Sequence, residues 1–281
     1  MSAEITSFSD FFIHDRIEKT LEKLRLNIPT DVQKASIPHA LDGKDLQVCA
    51  ETGSGKTLAY IMPMMQKFLE SKSVIQGTRG LILCPTRELA RQVFKATKQF
   101  TDVTGMNVGL LTGGDDFKFQ AAMLRKNPEF IVSTPGRLVD HIKRRSTDLI
   151  DLEVLVLDEA DRMLDMGFAE DMEIISGECN EGKRQTLLFS ATLHHKGIAR
   201  VAAKVLDNPL EITTATVRDK HDNISQQVIL ADDSAHKDRL LSWLLSNDEF
   251  ESYIQSQKAA GRPPKLADLN RKASPLISTR G

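Results

Sequence analysis

From residue 46 onward the chain alternates short, almost wholly apolar runs with longer stretches in which apolar residues recur at helical spacing. The runs are Leu46-Gln47-Val48-Cys49, Gly80-Leu81-Ile82-Leu83-Cys84, Val108-Gly109-Leu110-Leu111, Phe130-Ile131-Val132, Val154-Leu155-Val156-Leu157 and Thr186-Leu187-Leu188-Phe189. Each has strand length, and each leads into a polar or glycine-rich turn and then a helical period. Strands this apolar are buried on both faces, and helices between them are the crossovers that a parallel sheet requires. The pattern therefore predicts an α/β domain, a parallel sheet with helices on both faces. Ligand chemistry is expected just after the strands, at their carboxyl ends.

The flanks carry weaker patterns. A charged helical leader from residue 15 to 27, closed by Pro29, and a second short helix over 33–41 precede the first strand. A helix over 198–206 and a short strand ending at Thr213 follow the last long run. Residues 217–225 read as a polar linker, 226–231 as a strand and 236–245 as a helix. Beyond Asn247 the pattern dissolves into polar, proline-containing sequence that is expected to be poorly ordered. The expected division is thus a leading region 1–40, a sheet domain 41–214, a linker with the start of a further domain 215–246, and a tail 247–281.

Composition narrows the function classes. The 281 residues are 41% hydrophobic and 27% charged, ordinary for a globular chain, with a net charge of -2. A protein that coats nucleic acid by bulk attraction is usually strongly basic, so a nucleic acid would have to be gripped here at a local groove. Cys49, Cys84 and Cys179 are odd in number and lack the paired spacing of a disulfide framework or a zinc site. No apolar run approaches the ~18 residues that span a bilayer, and the N-terminus does not resemble a signal peptide. A reducing, cytoplasmic setting without membrane attachment is expected.

Two segments carry chemistry. Ala50-Glu51-Thr52-Gly53-Ser54-Gly55-Lys56-Thr57 follows a strand and opens a helix, the context of a phosphate-binding loop, with Ala50 where Gly is usual. Its glycines let successive N–H groups face an anion at a helix N-terminus. Lys56 would reach the outer phosphates and Thr57 would hold Mg²⁺. Val154-Leu155-Val156-Leu157-Asp158-Glu159-Ala160-Asp161 puts carboxylates at a strand end. There Asp158 would coordinate the metal and Glu159 would orient and deprotonate water. Alone, such an acidic strand end is an ordinary helix start. Together the two segments indicate a phosphate-loop ATPase.

With the literal Asp158-Glu159-Ala160-Asp161 in view, the chain resembles the DEAD-box family of RNA-dependent ATPases. Family elements run in order from Phe8 to Thr192, about two thirds of the chain. The resemblance implies a RecA-like domain, ATP and Mg²⁺ as cofactors, RNA as partner and a monomeric state. Pro29-Thr30-Asp31-Val32-Gln33 resembles the family's Q motif, which implies adenine pairing by Gln33 and stacking by the upstream Phe8. A Gln amide matches the N6/N7 edge of adenine. Pro85, Thr86 and Arg87, Gly113 and Gly114, and Thr134, Pro135, Gly136 and Arg137 resemble elements that line an RNA groove. Arginines, close glycines and helix N-termini there suit phosphate and sugar rather than base edges. Ser190-Ala191-Thr192 resembles the motif that couples hydrolysis to strand separation, and both hydroxyls are expected to bond Asp161.

Residues 158–168 and 183–193 are similar to a bacterial subgroup of SrmB type, which implies ribosomal precursor particles as partners. The family's second RecA-like domain and its two arginines are not expected in residues 215–281. An arginine finger is worth ~10³ to 10⁵ in turnover, so the chain alone is expected to bind ATP and hydrolyse it weakly. A catalytically silent nucleotide- or partner-binding module is the alternative from another class. A DNA-directed helicase or other phosphate-loop ATPase is disfavoured by Gln33 and the Asp-Glu-Ala-Asp run.

Overall fold

The computed structural model describes residues 5–71, 77–179, 184–192, 197–214 and 233–246. Seven strands form one sheet: β1 (Leu46–Cys49), β2 (Gly80–Leu83), β3 (Val108–Leu111), β4 (Phe130–Ser133), β5 (Val154–Leu157), β6 (Gln185–Ser190) and β7 (Leu210–Thr213). Their order across the sheet is β3-β4-β2-β5-β6-β1-β7, and every pairing is parallel. All carboxyl ends therefore lie along one edge. The six apolar runs and the strand ending at Thr213 become these seven strands, with ends shifted by a residue at most. This is the RecA-like α/β architecture that the resemblance implies.

Side chains of β5 show why both faces are dry. Val154 and Val156 belong to one core cluster, with Phe8, Ile17, Tyr60, Phe100 and Phe189. Leu155 and Leu157 belong to the other, with Leu138, Met163, Ile175 and Val201. Successive strand residues point to opposite faces, so a four-residue apolar run feeds two cores at once. Cys49, Cys84 and Cys179 are all buried, and burial pushes the Cys84 thiol up and the Cys179 thiol to about 11. They behave as small hydrophobes.

Ten α-helices are described: α1 (Asp15–Lys23), α2 (Asp31–Leu41), α3 (Lys56–Glu70), α4 (Arg87–Thr104), α5 (Phe117–Leu124), α6 (Pro135–Lys143), α7 (Ala160–Asp165), α8 (Ala169–Gly177), α9 (Ile198–Val205) and α10 (Ser234–Ser246). The leader helix ends at Lys23, four residues short of the expected end and well before Pro29. Arg25 adopts φ 57°, and Leu24 and Leu26 on either side of it pack against the core. Burial of those leucines, not proline, turns the chain. Helix α2 begins two residues early because Thr30 is its N-cap. Helix α10 lies in a second compact unit that starts at Lys220. The expected linker over 217–225, the strand over 226–231 and the tail 247–281 lie outside the described residues.

Phe189 of β6 has no exposed surface and meets Tyr60 edge to face, 5.4 Å between centroids. Truncating a fully buried Phe costs about 3–5 kcal/mol. Phe189→Ala is expected to lower the unfolding free energy by that amount in urea titration, and a loss below about 1 kcal/mol would contradict this core assignment.

Candidate functional site

Residues 50–57 leave β1 at its carboxyl end and curl into α3. Gly53 and Gly55 adopt φ 85° and 97°, values that only glycine takes without strain. Lys56 is the first residue of α3, and its side chain turns back so that Nζ donates to Ala50 O at 3.0 Å. Ser54 Oγ donates to Glu51 O at 2.8 Å, tightening the turn. Thr52 and Gly53 stay exposed at its rim. Gln33 joins this loop to the segment before α2: its Oε1 accepts from Thr30 N at 2.9 Å and its Nε2 donates to Gly55 O at 2.9 Å. A Cβ on Gly55 would lie 2.5 Å from Gln33 Nε2. One acceptor lone pair and one N–H of the Gln33 amide remain for a ligand edge.

Asp158 follows the end of β5, and Lys56 exerts the largest favourable charge effect on it. Tyr60, one helical turn beyond Lys56 on α3, donates its hydroxyl to Asp158 Oδ2 at 2.9 Å and also meets the Thr57 side chain. Asp158 Oδ1 is buried without a hydrogen-bond partner. Burial pushes the Asp158 carboxyl up to about 6, against the attraction of Lys56. Ionising it inside the fold therefore costs about 3 kcal/mol relative to the unfolded chain. The neutral form contributes stability fully below the ordinary value of 3.8, and that contribution is lost as pH rises through about 6. A cation beside Oδ1 would reverse this penalty. Lys56, Thr57 and Asp158 thus form a pocket edge chemically suited to a phosphate and a hard divalent metal.

Glu159 occupies the left-handed region, φ 53°, at the N-cap of α7. Its buried carboxylate is held by Arg162 Nη1 at 2.9 Å, one turn along. Asp161 Oδ2 accepts from the backbone N–H groups of Ala191 and Thr192, both at 3.2 Å, and from Thr192 Oγ1 at 3.3 Å. The Ser190 hydroxyl corrects the expectation. It donates to Thr192 O at 2.6 Å and makes no bond to Asp161, because the chain bends after β6 and brings that carbonyl closer. Backbone amides, with one hydroxyl, make the link.

The remaining singled-out residues cluster at the carboxyl ends of β2, β3 and β4. Thr86 caps α4 by accepting from Leu89 N at 3.2 Å, and the buried Pro85 precedes it. The Arg87 guanidinium lies against the loop after β3, where a Cβ on Gly114 would meet its Nη1. Arg137 Nε donates to Thr112 O at 3.2 Å and its Nη2 to Asp115 O at 2.9 Å, so the same loop is pinned from α6. Thr134 is the N-cap of α6, with Pro135 and Gly136 following in its first turn. Two helix starts, three glycines (Gly113, Gly114 and Gly136) and two arginines therefore share one edge.

Phe8 is 4% exposed, its ring packed against Phe11 at the margin of the core, and Gln33 is enclosed to a similar degree at 3%. Sequence reasoning also passed over several supporting residues. Tyr60 was detectable in principle, since its spacing from Lys56 puts both on one helix face. Arg162 and the pair Gln120–His141 carried no signal. Gln120 Nε2 donates to Thr112 O at 2.9 Å and its Oε1 faces His141 Nε2 at 3.1 Å, bracing the glycine loop from beneath.

His141 is fully buried, stacked on Phe117 at 4.0 Å, with Nδ1 unpartnered. Burial, reinforced by Arg137, pushes its imidazole down to about 4 from 6.5. The unfolded chain takes up this proton first, so stability falls as pH drops from 6.5 towards 4. The His141 ring signals in NMR are expected to stay those of the neutral form until about pH 4, and His141→Phe to reduce the acid-side loss in melting temperature. A ring titrating near 6.5 would contradict the buried, unpartnered geometry.

A family model described as DEAD/DEAH box helicase matches residues 30–201. The chain is 39% identical over 270 residues to the ATP-dependent RNA helicase SrmB of Escherichia coli, covering 96% of this chain and 61% of that protein. It is 34% identical over 280 residues to the ATP-dependent RNA helicase vasa of Drosophila melanogaster, covering 99% of this chain and 42% of that protein. The chain thus spans less than two thirds of the length of these relatives. Both matches run past Asn247, into the stretch where the family resemblance was expected to stop. A crystal structure of a hypothetical ATP-dependent RNA helicase from Sulfolobus tokodaii superposes with a TM-score of 0.65 at 34% identity, over 72% of this chain and 57% of that one. On the family match and on the sheet edge that carries its motifs, the chain belongs to the DEAD/DEAH box helicases.

Proposed function

We propose that this chain is the ATP-binding half of an ATP-dependent RNA helicase, with nucleotide at the ends of β1, β5 and β6 and RNA backbone at the ends of β2, β3 and β4. The observation that carries the nucleotide site is the buried Asp158, whose unpartnered Oδ1 lies in the same small region as Lys56 and Thr57. That donor set fits Mg²⁺: an ionised carboxylate and a hydroxyl are hard oxygen ligands, and an orphaned buried oxygen needs a cationic partner. Asp158 and Thr57 would hold the ion, which when bound would neutralise charge developing on the transferred phosphoryl group. Lys56 would leave Ala50 O for a phosphate oxygen, a stronger charge-assisted contact. Gln33 would select adenine with its remaining amide positions while keeping its bond to Gly55.

Glu159 is the proposed base. It would have to exchange Arg162 for the attacking water, with Asp158 kept in place by Tyr60. Asp161 would report the state of the site to residues 190–192 through its three bonds. Arg87, Arg137 and the glycine loop would grip RNA through phosphate and sugar, without reading sequence. Ribosomal precursor particles as partners, a cytoplasmic location and a monomeric state complete the proposal, as the family resemblance implies.

Two measurements test the nucleotide reading. Lys56→Ala is expected to weaken ATP binding by about 10²-fold in titration calorimetry, with circular dichroism unchanged. Unaltered affinity would remove the phosphate-loop assignment. The unmutated chain is expected to prefer ADP over GDP, and Gln33→Ala to erase that preference, because guanine presents an acceptor where adenine donates. Equal affinity for ADP and GDP in the unmutated chain would exclude the role given to Gln33.

A further inference from the structure

The arginines of the proposed RNA groove do not end at the glycine loop. Arg137 and Arg144 are seven residues apart at the two ends of α6, close to two helical turns, and so lie on one face. Between them sits the Phe117 ring, with Arg137 Cζ 5.8 Å and Arg144 Cζ 4.4 Å from its centroid. His141 occupies the same ring by stacking, which keeps Phe117 in place from beneath. Below Arg144, the turns that end α5 and α6 enclose a cavity of about 820 Å³ lined by Arg125, Lys143 and Arg145. Asn127 and Arg145 both adopt positive φ there, 49° and 54°, folding each chain end back beside the cavity.

The cations of this region stand unpaired in a chain that is slightly acidic overall. Arg125, Lys126, Lys143, Arg144 and Arg145 are all exposed, and among the described residues none has a carboxylate within ion-pair distance. Asp148 and Glu178 share the cavity wall, Asp151 reaches Gly77 on it, Asp140 is exposed on α6 and Asp171 lies near Lys143, so carboxylates are interspersed with these cations without pairing to them. Cations near helix C-termini offset the helix dipole, which explains a basic residue on each helix. It does not explain why two helices bring theirs into one cavity, or why Arg144 is held in line with Arg137 by an aromatic ring.

The geometry points to a second RNA-backbone site: a cationic track that leaves the groove at Arg137, follows α6 past Arg144 and ends in the cavity of Arg125, Lys143 and Arg145. This inference rests on the RNA reading above. Helix α6 is about 13 Å long, so the track would accept two or three further phosphates of a strand already gripped at the glycine loop. The Ser146 hydroxyl on the cavity wall offers an additional donor for phosphate or 2′-hydroxyl. Its chemistry is that of polyphosphate recognition, insensitive to base identity and sensitive to salt.

Fluorescence anisotropy with two labelled oligouridines, roughly six and about twenty nucleotides long, separates track from groove. The double variant Lys143→Glu, Arg145→Glu changes residues that make no ion pair among those described. It is expected to weaken the long RNA by about tenfold, to lower its log–log salt slope by about 1.4, and to leave the short RNA within about twofold. Arg125→Glu, on the other helix, is expected to act in the same sense, and circular dichroism checks that each variant is folded. An unchanged long-RNA affinity would overturn the track, and so would equal weakening of both RNAs in a folded variant. If the unmutated chain bound neither RNA, the groove reading itself would fall. A polyglutamate peptide that displaced the long RNA as well as unlabelled RNA does would assign the surface to an acidic protein instead.

Discussion

An aspartate sealed at the end of a central strand is the constraint around which the rest of this domain is arranged. Asp158 is cut off from water, and its charge is tolerable only where Lys56 and a donor such as Tyr60 can reach it. Both partners come from one face of α3, so that helix must start directly above the strand. It can do so only because Gly55 turns the chain with a backbone conformation closed to other residues. Gln33 then holds Gly55 from the preceding segment. The unpartnered Oδ1 is what remains after these contacts, and it is the atom to which the proposed cation would bind.

Strand order distributes the chemistry along the edge. Strands β1 and β5 are separated by β6 alone, so the loop of residues 50–57 and the carboxylates face each other across residues 190–192. On the other side, β5 pairs with β2, and Asp158 N donates to Leu83 O at 2.9 Å, just ahead of Pro85 and Arg87. A carboxylate-bearing half and an arginine-bearing half of one edge are thereby joined through a single shared strand pair. Motion of a phosphate site and motion of a backbone-binding site would have to pass through this seam, or through Asp161 and its amide partners. Both routes are short and built mostly of backbone, which deforms less than surface side chains.

The arginine-bearing half is braced rather than merely charged. Arg137 spends its donors on two carbonyls of the glycine loop, Gln120 supports the first of those carbonyls, and His141 supports Gln120. A loop rich in glycine is otherwise free to adopt many conformations, and ordering it for a ligand would consume binding free energy. Prior ordering removes part of that cost.

The sequence by itself determined the strands and the parallel sheet, and it singled out the candidate residues at the carboxyl edge, because each rests on local information. A run such as Val154 to Leu157 can be buried on both faces in few ways, and a glycine-rich turn between strand and helix has a narrow set of uses. What only tertiary structure decided depends on residues far apart in the chain. Phe8 was an aromatic singled out by position, and its packing against Phe11 and the core is visible only in the fold. Ser190 and Thr192 were equivalent hydroxyls, and the bend after β6 gave Asp161 to one and a carbonyl to the other. Leader helix α1 stopped at Lys23 because Leu24 and Leu26 gain more by reaching the core than by extending the helix. Tyr60, Arg162, Gln120 and His141 have no motif to announce them; their roles exist only where the fold brings a polar atom within about 3 Å of a partner it must satisfy.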